Sequence, residues 1–143
     1  MTTRPTYDDA NLILRLYEMR REDRIRKARG WFATNFKPKT WDELQKIAPP
    51  GSDENASYRM VVTYWEMVAS FITSGVLNKE LFFQSGRELL LVWERLRDVL
   101  QPLREVNKDP LLYQHLEAVG TEFAAYFKDR SGEGYDAFIK RIK

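Results

Sequence analysis

Four side chains sit where they could grip a small molecule: Arg59, Glu66, Glu88 and Trp93. Arg59 and Glu66 fall on one narrow strip of a helix, two turns apart, about 10 Å along its axis. At that distance the charges do not pair directly, so a third group or a ligand has to stand between them. Glu66 and Glu88 each have apolar neighbours, Trp65 and Met67 on either side of the first and Leu89 to Leu91 following the second. Such surroundings raise a carboxyl pKa, the condition for general acid–base work. The plainer reading is that the strip faces water, or admits a neighbouring helix, because paired charges are more often structural than functional. These four residues are therefore ligand-binding candidates for a pocket between helices at 55–74 and 87–106. That reading requires at least two of them to converge. No residue is assigned as catalytic.

Other chemistry has thinner support. The one histidine, His115, lies at the edge of an apolar helical face. No His-x-x-x-His and no paired Glu-x-x-His accompanies it, so no metal is expected. With no cysteine in the chain, disulfides and thiolates are excluded. No serine stands in a Gly-x-Ser-x-Gly elbow, and no glycine-rich phosphate cradle occurs. No cofactor is expected. The cluster Arg20, Arg21, Arg24, Arg26, Lys27 and Arg29 invites a nucleic-acid reading. Glu18, Glu22 and Asp23 are threaded through it at ion-pairing distances, which favours a solvated helix instead.

The elements that must position these residues are helical. Residues 53–75 organise the rest. At 100° per residue, Tyr58, Val61, Val62, Trp65, Val68, Ala69 and Ile72 share a face, which Met60, Tyr64, Met67 and Phe71 widen past halfway round. A helix apolar over so wide an arc is surrounded by other helices. Ser52 or Asn55 caps its start, and Gly75 suits the left-handed position beyond its end. Ahead of it, residues 1–6 read as a flexible tail, and Asp8 or Asp9 caps a long first helix running toward Phe36. Its two ends carry apolar faces that point differently, separated by a fully charged segment at 20–24. Such a helix either breaks there or packs its ends on different partners. Thr40 and Glu43 form a capping box for a short helix.

After Gly75, Asn78 caps a helix led by Leu81, Phe82 and Phe83. Leu89, Val92, Trp93, Leu96, Val99, Leu100, Leu103 and Val106 make a clean stripe, with Glu94 and Arg97 opposite it. Leu90 and Leu91 fall outside that stripe, so the first turns are buried on more than one side. Pro102 bends or breaks this helix about one turn upstream. Asp109-Pro110 starts the next one. Ser131 to Gly134 reads as a turn, and Tyr135, Phe138, Ile139 and Ile142 suggest a last short helix. The expectation is an all-α, single-domain bundle of about six helices with a long N-terminal helix, spanning 1–143.

At 143 residues with net charge +2 and 13% aromatics, the chain suits one packed domain and makes no general case for nucleic acid. No secretory h-region and no uncharged apolar run of about 18 residues occurs, so a cytoplasmic protein without membrane attachment is expected. The run NASYRMVVTYWEMVASFITSGVL, with LYEMRRE before it and FFQSGRELLLVWERLR after it, resembles a group of small bacterial helical proteins of unknown function. The resemblance implies a bacterial, cytosolic helical protein and carries no functional residues. The surplus of aromatics and the divided first helix favour a non-enzymatic interaction domain that self-associates into a homodimer, with a protein partner as a further option.

Overall fold

Helix α4 (Asp53–Thr73) runs through the middle of the molecule, its Trp65, Val62, Val68 and Ala69 fully shielded from solvent. The coordinates are a computed structural model that describes residues 4–143. Around α4 stand α1 (Tyr7–Met19), α2 (Asp23–Asn35), α3 (Trp41–Ile47), α5 (Lys79–Phe83), α6 (Arg87–Leu96), α7 (Leu100–Asn107), α8 (Gln114–Arg130) and α9 (Gly132–Ile142). Among the described residues there is no strand. Helix α4 packs most extensively on α8 and α2, while α8 also packs on α6 and α9. The fold is all-α, a helical bundle, more finely divided than six helices. Among the described residues, no helix is long and apolar enough to cross a membrane.

The first helix breaks at the charged segment. Helix α1 ends at Met19, and Glu22 opens α2 by accepting from the backbone N–H of Arg24 at 3.1 Å and Ile25 at 3.3 Å. Glu22 is thus a cap rather than an arginine partner. The break lets Leu16 and Ile25 both reach the core although their faces differ in phase. The cap of α1 is Thr6, not Asp8 or Asp9. Asp9 lies one turn in and reaches back to the Thr6 N–H at 2.7 Å. Residues 1–3 of the expected tail lie outside the described residues.

Local signals place most other boundaries. Ser52 accepts from Asn55 N–H at 3.0 Å, Thr40 from Glu43 N–H at 3.2 Å, and Asn78 from Leu81 N–H at 2.8 Å. Gly75 takes φ +83°, where a side chain would be strained. Upstream of Pro102 the helix tightens into a 3-10 turn at Arg97–Val99, separating α6 from α7.

Two expected boundaries move. Asp109-Pro110 does not start α8. Asp109 holds a turn by accepting from Leu111 N–H at 3.1 Å, Tyr113 takes a left-handed φ of 59°, and the helix begins at Gln114. The segment at 131–134 is not a free turn either. Ser131 caps α9 by accepting from Gly134 N–H at 3.0 Å, and the helix starts at Gly132.

Candidate functional site

Helices α1, α2, α4 and α6 meet at one polar junction. Glu88, in the first turn of α6, takes Arg29 in a two-pronged pair, Nε and Nη2 each donating at 2.8 Å. Both side chains are about one-quarter exposed, 26% for Arg29 and 28% for Glu88. The Trp65 indole N–H donates to the same carboxylate at 3.1 Å, joining α4 to α6 directly. Arg29 Nη1 donates at 2.9 Å to the Arg20 carbonyl at the end of α1. The Arg20 guanidinium stands over the rings of Tyr17 and Trp65, 5.1 and 5.3 Å from their centroids. Hydrogen bonding to Glu88 raises the already high pKa of Arg29, so the guanidinium keeps its charge. The sequence draws Glu88 out by its apolar neighbours. It does not identify Arg29 among six basic residues.

Glu66 does different work. From α4 its carboxylate accepts the backbone N–H groups of His115 at 3.4 Å and Leu116 at 2.7 Å, the second and third residues of α8. Tyr113, the residue before α8, gives no side-chain cap, and Glu66 supplies one from another helix. A carboxylate there also meets the positive end of the helix dipole. Burial, then the nearby charges of Tyr58 and Glu66, pushes the Tyr113 hydroxyl up to about 12.

The remaining two candidates are separate again. Arg59 is exposed, and its Nε donates to Asn55 Oδ1 at 2.8 Å one turn back. Trp93 is buried against α8, where a Cβ at Gly120 would come within 2.3 Å of its indole Cγ. No bond or ring contact joins any two of Arg59, Glu66, Glu88 and Trp93. A groove of about 650 Å³ opens beside the start of α1 and α5, lined by Arg4, Asp8, Asp9, Lys79, Glu80 and Glu122 among others, and none of the four lines it. His115 does not line it, but its Nδ1 stands 2.7 Å from the Oγ1 of Thr73, which does. Among the described residues, no group of three or more acidic or histidine side chains is gathered as a metal set.

Two buried charges escape the sequence reading. Glu94, expected on the polar face, is 2% exposed and accepts from the Tyr135 hydroxyl at 2.6 Å. Burial and that bond raise the Tyr135 pKa. Arg95 is 5% exposed and has no carboxylate partner. It donates to carbonyls at two helix ends: Nη1 to Phe32 at 2.9 Å and Ala33 at 2.8 Å, Nε to Ile142 at 3.1 Å. One signal pointed there. Leu91 lies outside the main stripe, and Arg95 stands one turn further along the same second face.

The basic cluster is largely occupied. Arg29 is spent on Glu88, Arg26 pairs with Asp23 at 3.4 Å, and Arg20 and Arg21 both stand over Tyr17. The polar groups of Arg59, Glu66 and Glu88 thus act within and between helices, and the molecule is an all-helical domain with polar contacts joining its helices. The chain belongs to the DUF4760 family, a domain of unknown function, whose model matches residues 5–123. No curated protein and no solved structure matches it.

Proposed function

We propose that this is a non-enzymatic interaction domain that pairs with a second copy of itself through α1. The observation that supports it is the outer face of α1. Tyr7 is 80% exposed, Leu14 60% and Tyr17 47%, at positions i, i+7 and i+10 of one helix. Leu16 alone of this helix's apolar residues is fully buried, with Leu12 and Ile13 partly so. An exposed stripe of aromatic and aliphatic side chains along a helix is a docking feature, and the arginines beside it suit an interface. A 13-residue helix is about 20 Å long. One helix pair covers less than the roughly 800 Å² per partner of a standard interface, so the dimer is weak.

Light scattering after size exclusion, run from low to high micromolar concentration, tests this. The expected result is a mass rising toward twice that of the chain, and staying at the monomer value in Leu14→Arg. A monomer at every concentration rejects the reading.

A further inference from the structure

A small recess opens between the start of α6 and the last turns of α8. Its volume is about 130 Å³, and Phe83, Phe123, Tyr126 and Phe127 form its walls, with Arg87 and Arg130 at the rim. Phe83, Phe123 and Tyr126 make one ring cluster, and Phe127 stands beside it, in ring contact with Tyr135 and Phe138 instead. Phe83 lies 4.3 Å from Phe123 and 5.1 Å from Tyr126, centroid to centroid. Arg87 lies over Phe127, its guanidinium 4.3 Å from the ring centroid. Stacking holds the guanidinium plane and leaves its N–H edges free to donate.

Both arginines are exposed, and neither has a carboxylate partner among the described residues. Arg29, Arg97 and Arg104, by contrast, are each spent on a glutamate. Arg87 is also the first residue of α6, at the positive end of its dipole.

Size then limits the ligand. An apolar cavity of about 150 Å³ takes one benzene ring. A recess of this volume has room for a single ring and no more. Aromatic walls favour an aromatic guest in edge or offset packing, and paired guanidinium forks favour a carboxylate. We infer that the recess between α6 and α8 binds a one-ring aromatic carboxylate, its ring against Tyr126 and Phe127, the more exposed of the lining rings, and its carboxylate on Arg87 and Arg130. This site is independent of the pairing proposed for α1 and stands whether or not the chain dimerises.

Benzoate is the probe, titrated into the full chain and followed by amide chemical shifts. Saturable shifts are expected at the start of α6 and the end of α8. The neutral amide benzamide should bind about tenfold or more weakly, since one charge-assisted contact is worth about that factor. The variant Arg87→Gln/Arg130→Gln changes only exposed side chains, so it keeps the fold, checked by circular dichroism, and should weaken benzoate by a similar factor. No saturable shift at millimolar benzoate overturns the inference, as does undiminished binding by the double variant. Equal binding of inorganic phosphate overturns the aromatic class.

Discussion

Replacing Arg95 by methionine tests whether a buried cation without an acid partner holds this bundle together. Two effects oppose each other. Burial disfavours the charged guanidinium and lowers its pKa, and buried charges can often be exchanged for hydrophobes at no loss. Against this, Arg95 makes three hydrogen bonds to the ends of α2 and α9. Those ends carry the negative poles of their dipoles and face each other across the guanidinium. The Phe32 carbonyl keeps the Phe36 N–H at 3.0 Å after substitution, whereas the Ala33 and Ile142 carbonyls lose the arginine donor. Three charge-assisted bonds at about 1.5 kcal/mol each, less about 1–2 kcal/mol returned by burying methionine, leave a loss of about 3 kcal/mol. For a chain of this size that is a fall in Tm of about 10 °C. Urea denaturation followed by far-ultraviolet circular dichroism measures it. Arg95→Lys, with one ammonium for three carbonyls, should recover about half. Faster amide exchange in the last turns of α2 and α9 should accompany the loss. A methionine variant as stable as the parent would refute the reasoning, because desolvation would then outweigh the bonds.

Glu88→Gln keeps an acceptor for the Trp65 indole but loses the ionic pair with Arg29, and should cost about 1 kcal/mol in the same assay. Glu88→Ala also strands the buried indole N–H, and should cost about 3 kcal/mol; equal losses would mean that the indole bond contributes nothing. Asp9 is held below the usual carboxylate range by the backbone N–H groups of Thr6 and Asn78. Its folded pKa is lower than its unfolded one, so its contribution is present above the unfolded value near pH 4 and disappears as pH falls through the folded value. The stability difference between the parent and Asp9→Asn, measured from pH 6 downward, should therefore shrink below about pH 4. A difference that holds constant to pH 2 would contradict the assignment.

The elements were legible where one short stretch decides them. The wide apolar arc of α4, Ser52, Asn78 and Gly75 as its neighbours' punctuation, and the break before Pro102 all follow from local periodicity and backbone chemistry. The charged segment at 20–24 announced a break but not its mechanism, because Glu22 can pair with an arginine or cap a helix with equal local logic. The candidate residues were legible as unusual and not as to role. Glu66 and Glu88 do sit in apolar surroundings, yet their partners lie 50 and 59 residues away, and no sequence period links such positions. Glu94 fell on the polar side of its helix by phase, but α9 closes over that side.

The cap that Glu66 places on α8 has a consequence for how the chain assembles. The start of that helix is set by a residue 50 positions earlier, while the local start signal lies at Asp109-Pro110, one turn upstream. Before α4 and α8 meet, only the local signal operates, and it favours a longer helix. Docking would then exchange that extra turn for the carboxylate of Glu66. The expected outcome is that helicity during refolding briefly exceeds its final value and that the excess persists in Glu66→Ala; stopped-flow circular dichroism with no overshoot in the parent would refute it.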